Sequence, residues 1–402
     1  MKKFLKRFFL VLIVVIVLVQ IPFIYRRYQT GKLAQKIGES QTQRIERAEH
    51  IFNEYKGIIH AHTSLGGHST GGFDELIAAA NSNDLDFVLM TEHWSNEFDT
   101  SALTLNGVYG KTLFVGGNEV DTADSDRFLM IPGSADAASF RNGPTTAFLE
   151  KTRSENKLAF VTYPEKLKSW DSNFDGIEVF SLHTSAKQIN PFIGIFDLIW
   201  SYPAYPELTL ASYFKRPDAN LQKFDETAAK RKISLFAGTD AHSNIGFHLF
   251  GDDAGNKLIN IKIDPYETIF RLARAHVLIE KDKQLTREHL IEALKTGRSF
   301  IGFDVFGESS GFSFVAESAT GNHFMGDDAL LSDGVRLKIN SPNKARFVVF
   351  RNGEMINESA DVSDLVLNVY GPGAYRVEVY LDSLGPPFDK MPWIISNPIY
   401  VR

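Results

Sequence analysis

Histidines and carboxylates recur at the ends of short apolar runs in this chain, and that placement constrains the fold more than any other feature. His60-Ala61-His62 follows Gly57–Ile59, Glu92-His93 follows Phe87–Met90, Asn118-Glu119 follows Thr112–Val115, and Asp240-Ala241-His242 follows Ser234–Ala237. Runs of this length read as strands, and the stretches between them are helical. Side chains at the carboxyl ends of successive strands converge when such strands are wound into an α/β barrel. A random scatter of histidines has no reason to fall at those ends. His60, His62, His68, His93 and His242 are five of the chain's eleven. Imidazole and carboxylate together are the usual ligands of zinc, iron and manganese. A metal centre with more than one ion is the reading these residues support.

The alternation of strand and helix runs from residue 57 to about 300. Helices are expected at Phe73 to Asn81, Thr145 to Asn156, Leu221 to Lys232 and Leu285 to Gly297. Strands are expected at Leu129 to Ile131, Leu158 to Thr162 and Gly176 to Phe180. The last helix carries Thr286 before it, Glu288 in its first turn and Gly297 after it, a capped pattern. Beyond Arg298 the texture changes to short strands without helices, with Arg351-Asn352-Gly353-Glu354 as a tight hairpin turn. That pattern reads as a β-sandwich. A chain of 402 residues also exceeds what one core usually serves. The expected division is an anchor at 1–30, a polar stalk at 31–56, a barrel at 57–304 and a β-sandwich at 305–402.

The absence of cysteine excludes thiolate ligands, cysteine nucleophiles and disulfides. A net charge of -6, with no basic stripe, argues against nucleic acid as a stable partner. At the amino terminus Lys2, Lys3, Lys6 and Arg7 precede an uncharged apolar run from Phe8 to Tyr25, just long enough to span a bilayer. A cleaved secretory signal is the alternative. The run ends Val19-Gln20-Ile21-Pro22 without a small-x-small cleavage site, which favours an uncleaved single-pass anchor. Arg26, Arg27, Lys32 and Lys36 follow the span, so the charge comparison across it is nearly balanced. The short cationic start before a large body favours an extracytoplasmic body. No protein partner can be inferred.

In their order along the chain these residues resemble the polymerase-and-histidinol-phosphatase (PHP) superfamily. Its motifs are an HxH with a third ligand, a T-D/E-H, a lone glutamate, a mid-barrel histidine and a closing DxH. The resemblance covers roughly residues 57 to 300. It implies a distorted (β/α)7 TIM-like barrel and a centre of two or three divalent ions (zinc, manganese or iron) that hydrolyses a phosphate ester. It also implies a small phosphorylated molecule as substrate. Carried onto this sequence, His60, His62, Glu119 and Asp240 form one site, and His68, His93 and His242 a second. Glu92 matches an acidic position that orients rather than ligates. The departure is Tyr163-Pro164, where the family has His-Pro, so a third ion has no clear ligand there. His183 is a candidate replacement, as ligand or phosphate contact, against the reading of a solvated loop histidine. Arg216 and Lys166 are candidate cations for phosphoryl oxygens, against the reading of surface charges. Glu178, His248, His276, His289 and His323 read as structural. Asp327 and Asp328 read as a solvated turn, and Tyr375, Tyr380 and Trp393 as packing.

Two other readings stay open: a non-catalytic metal- or ligand-binding module, which Tyr163 favours, and an amidohydrolase-type C–N hydrolase on a related barrel. The latter lacks an obvious carboxylated-lysine position. If Phe8 to Tyr25 is retained, the mature protein fractionates with membranes and keeps its first residues. Amino-terminal sequencing that begins near Tyr28 in a soluble fraction would refute this.

Overall fold

The structure is a computed structural model that describes residues 2–45, 51–251 and 257–402; of 247–251 and 257–261 only the backbone is described, so the side chain of His248 lies outside the described residues. It opens with one 41-residue helix, α1 (Lys2–Thr42). The apolar run lies toward its amino-terminal end with its side chains mostly exposed, Phe23 being buried. By length and composition this helix can cross a membrane, and a signal sequence has the same properties. The second half lies against the body. Leu33 is buried, and Lys36 Nζ donates to the Ser383 carbonyl at 3.1 Å.

Strand β1 (Phe52–Ala61) starts five residues earlier than its apolar core suggests. Residues 53–56 are mainly polar but pair with a distant strand, a contact with no local signature. β1 runs parallel to β2 (Phe87–Met90), which runs parallel to β3 (Thr112–Val115). A second sheet holds β4 (Asn118–Asp121), β5 (Arg127–Ile131), β6 (Leu158–Val161), β7 (Gly176–Ser181) and β8 (Ser234–Gly238), with Glu92–His93 at its edge beside β4. β6, β7 and β8 are parallel, but β5 is antiparallel to both neighbours, so the expected alternation is interrupted there. The two sheets meet at the ends that carry the histidines. Ala61 bridges Ala241, and the His62 amide donates to the Ala241 carbonyl at 3.0 Å. The architecture is mixed α/β, and no continuous closed ladder runs around it among the described residues.

The strand-helix units are completed by α2 (Phe73–Ser82), α3 (Thr145–Ser154), α4 (Pro191–Trp200), α5 (Asp218–Ala228) and α6 (Arg287–Thr296). At α6 the Thr286 hydroxyl accepts from the His289 amide at 3.2 Å, and Gly297 closes the helix at φ 79°. Between α5 and α6, β9 (Arg274–Glu280) pairs with β1 over Phe52↔Glu280 to Gly57↔Ala275. β10 (Ser299–Gly302) pairs with β9 in turn.

The carboxy-terminal strands extend this same sheet. β11 (Arg336–Arg351) and β12 (Glu354–Asn368) form a long hairpin, with Asn352 at φ 51° and Gly353 at φ 84° supplying its turn. β13 (Gly373–Tyr380) pairs with β11, and β14 (Ile394–Ser396) joins β13 to β10. A buried ion network reinforces the seam. Arg376 forks onto Asp225 of α5 with two bonds of 2.7 Å, and Arg216 forks onto Glu378 at 2.7 and 2.6 Å. Trp393 and Tyr375 are buried, with Trp393 Nε1 donating to the Gly307 carbonyl at 2.6 Å. Asp327 and Asp328 pair with Arg298 and Lys232.

His276 on β9 is wholly buried, with Nδ1 2.6 Å from Glu54 and Nε2 3.2 Å from Asp304. Burial alone would lower its pKa, but Asp304 and Glu54 outweigh burial and push it up to about 9. The raised pKa gives stability that is complete below the unfolded value near 6.5 and is lost as pH rises through about 9. Its ceiling is about 3 kcal/mol. Urea unfolding of the full chain in detergent should therefore show wild type losing more stability between pH 7 and 10 than His276→Gln does. Equal losses would show that the imidazolium contributes nothing.

Candidate metal centre

β1 delivers His60 and His62, and its last turns are bent to do so. His60 sits at φ 73° and Asp240 at φ 48°, conformations that cost L-residues about 1 kcal/mol or more and persist only where neighbours hold them. The neighbours are backbone and side chain together: the Thr239 amide donates to the Ile59 carbonyl at 3.1 Å, and its hydroxyl to the His60 carbonyl at 2.8 Å. The structure brings His60, His62, Glu119 and Asp240 into one buried group. His60 Nε2 and His62 Nε2 lie 3.3 and 3.2 Å from Asp240 Oδ1, and 3.6 and 3.5 Å from Glu119 Oε2. His62, His93 and His242 form a second group that shares His62, with the His62 ring stacked between the other two at 4.6 and 4.4 Å. His68 is not in that group; its ring meets His93 edge-on at 4.9 Å.

These atoms fit cations. His60 Nε2, both ring nitrogens of His62 and Asp240 Oδ1 are buried without a hydrogen-bond partner. Leaving such atoms unpaired costs about 1–3 kcal/mol each, and a cation bound by their lone pairs removes that cost. Burial drives His62 down to about 3, which keeps its ring neutral and its lone pair free. Burial would raise Glu119, but the surrounding imidazoles of His60, His62 and His93 hold it below the usual carboxylate range.

Glu178, read from sequence as structural, supports this group directly. Its carboxylate accepts from His60 Nδ1 at 2.9 Å and from the Thr162 hydroxyl. That bond fixes the tautomer and turns His60 Nε2 toward the cluster, the usual carboxylate–histidine arrangement behind a metal. The carboxylate reaches His60 only because residue 238 lacks a side chain: a Cβ on Gly238 would sit 1.6 Å from Glu178 Oε1. No sequence spacing announces this, since Glu178 and Gly238 are 60 positions apart on neighbouring strands.

Tyr163 donates to Asp240 Oδ2 at 2.7 Å. Burial and the Asp240 charge push its phenol up, so it stays a neutral donor and leaves Oδ1 facing the histidines. Glu92 is turned away from the cluster. It accepts from the Thr63 amide and hydroxyl and from the Thr104 hydroxyl, and so holds the loop after His62. His183 is half-buried, its ring 6.1 Å from that of His242. Arg216 is not brought to the cluster because its guanidinium is committed to Glu378. Lys166 lies over the Tyr163 ring at 5.0 Å. The cation missed from sequence is Arg127, 3.3 Å from Glu119 Oε1 and 2.6 Å from Asp121. It lines a polar groove of about 430 Å³ with Trp94, Arg141, Tyr163 and Lys166. His276, Asp304 and Glu308 form another close group, but both imidazole nitrogens already face carboxylates or Ser309, and Lys56 pairs with Glu308.

No family model matches the chain, and no curated protein matches it by sequence. Among solved structures it aligns with a two-domain protein from Bacteroides vulgatus containing a predicted PHP-like metal-dependent phosphoesterase. That alignment has 13% identity and a TM-score of 0.35, and covers 88% of this chain and 99% of the other. PsfC from Pseudomonas syringae aligns with 11% identity and a TM-score of 0.35, over 62% of this chain and 92% of its own. Likenesses at this level carry no argument about chemistry.

Tyr163→Phe removes the donor that orients Asp240, so divalent-metal affinity should fall by about 10-fold or more, as loss of an outer partner of a ligand does. Glu178→Gln should fall similarly. Calorimetric titration of manganese or zinc into the chelator-treated protein checks both, and unchanged affinities would show that neither residue positions a ligand.

Proposed function

We propose that this chain is a membrane-anchored, metal-dependent phosphoesterase with a distorted, PHP-like barrel. The observation that carries this reading is the buried convergence of His60, His62, Glu119 and Asp240 with unpartnered lone pairs. Those four residues would hold one divalent ion, and His93 and His242, with the shared His62, a second; His68 stands beside them as a further donor. Such ions acidify water and hold phosphoryl oxygens in line. The remaining roles belong to the chain. Tyr163 and Glu178 aim Asp240 and His60 at the centre. Arg127 offers a guanidinium at its rim for anionic oxygens. His183, kept neutral by burial, faces His242 from the other side and is the candidate phosphate contact or proton carrier.

Zinc, manganese and iron all suit the donor set. The functional division we propose is an anchor at 1–30, a connecting segment at 31–51, the metal-binding unit from the start of β1 at 52 to 304 and an accessory β unit at 305–402, with the body on the extracytoplasmic face. A binding module without turnover is the competing reading, favoured by Tyr163 occupying one oxygen of Asp240.

Turnover decides between them. Full-length protein in detergent, supplied with manganese, zinc or iron, should hydrolyse a chromogenic phosphate monoester or diester and lose that activity on chelation. Asp240→Asn and His60→Ala should lower turnover by more than the roughly 100-fold typical of losing an outer partner, with circular dichroism unchanged. Metal bound tightly without hydrolysis of either ester would favour the binding module.

A further inference from the structure

Helix α4 reads Pro-Phe-Ile-Gly-Ile-Phe-Asp-Leu-Ile-Trp and is apolar on almost every side. One side packs on α1 at a defined height. Trp200 Nε1 donates to Gln20 at 2.8 Å, Phe196 stacks on Phe23 at 4.6 Å between centroids, and Arg26 Nε donates to Asp197 at 2.9 Å. Residues 20–26 are the last turns of the apolar run, which ends at Tyr25. If that run crosses a bilayer, α4 lies at its surface. Phe192, Ile195 and Ile199 are 60%, 53% and 58% exposed, which suits lipid contact and is costly against water.

The inner side of α4 covers an apolar cavity of about 230 Å³. Gly194 and Leu198 form its roof, Ile189, Ile245 and Ile263 line it, and at its inner end are His183 and Asp240. The cavity lining therefore includes both Asp240 of the metal-ligand cluster and the inner side of α4, the helix that lies at the surface of any bilayer α1 crosses. Beside Tyr163 and Arg127, which bond Asp240 and Glu119 of the cluster, the groove with Arg141 and Lys166 is polar and cationic. A molecule spanning both needs an apolar tail, a phosphoryl group at the centre and a polar or anionic head.

We infer that the substrate is a phosphate ester borne on a long-chain lipid, whose tail enters the cavity beneath α4 from the membrane. The phosphoryl position rests on the phosphoesterase reading above; the tail position rests on the cavity, on α4 and on α1 crossing the bilayer.

The test separates the two. Full-length chain is placed in phosphatidylcholine nanodiscs containing a hexadecyl phosphate ester with a diazirine at its chain end, with metals removed by chelation, and irradiated. Mass spectrometry should find adducts on Ile189, Leu198, Ile245 or Ile263. Leu198→Trp should abolish those adducts while adducts on α1 remain. Adducts confined to α1 and the outer face of α4, adducts absent altogether, or cavity adducts unaffected by Leu198→Trp overturn the inference. In the metal-loaded protein, kcat/KM for hexadecyl p-nitrophenyl phosphate should exceed that for the methyl ester by about tenfold or more, because the added methylenes are buried. Equal values overturn the inference and leave the phosphoesterase intact. Cavity adducts with no hydrolysis of either ester leave the lipid site intact and overturn the phosphoesterase.

Discussion

The hydrogen bond from His60 to Glu178 is the contact on which the rest of the site depends. It crosses from the end of β1 to the middle of β7 and so adds a side-chain tie to the backbone bonds that join the two sheets between residues 59–62 and 239–241. It fixes the direction of an imidazole whose backbone sits in the left-handed region. Burying that imidazole with Glu119, Asp240 and Glu178 removes several ionisable groups from water, a cost of several kcal/mol per charge unless each is paired. Every carboxylate oxygen facing away from the cluster is accordingly engaged: Glu119 Oε1 by Arg127, Asp240 Oδ2 by Tyr163, and Glu178 Oε2 by Thr162. The oxygens left over, and the ring nitrogens beside them, all point at one spot.

The seam between the metal-binding strands and the carboxy-terminal strands follows the same logic with a different outcome. Arg376, Glu378, Asp225 and Arg216 are mutually paired, so no charge there is left to bind anything. Well-paired buried ions of this kind contribute little net stability compared with apolar packing, but removing one partner costs about 3–5 kcal/mol. The network thus acts on register: only one placement of β13 against α5 satisfies it. That is also why Arg216, promising by its neighbourhood in sequence, has no part in the cluster.

What was legible in the sequence was whatever local pattern determines. The apolar runs ending near His60, His93, Glu119 and Asp240 located the cluster because strand length and strand end can be read from a few residues. The capped helix at Arg287–Thr296 and the Asn-Gly turn were legible for the same reason. Partners set by tertiary contact were not. Glu178 reaches His60 past Gly238, Arg127 reaches Glu119 from a strand whose antiparallel direction no periodicity signals, and the mainly polar residues 53–56 become a strand only because β9 lies beside them. Helix α4 escaped notice because an all-round apolar decapeptide has no amphipathic period to reveal it.

The pairing of Ile301 with Ile395 has a consequence for how such a chain can be cut or recombined. Stopping it near residue 304 would strip β10 of its outer neighbour and leave Ser-Phe-Ile-Gly as a bare, apolar sheet margin, open to pairing with another molecule. The last hundred residues therefore serve as a lid on a sticky border. Fragments and gene fusions that respect the apparent boundary in composition would inherit a tendency to self-associate, whereas exchanges that carry β13 and β14 along with β10 would not.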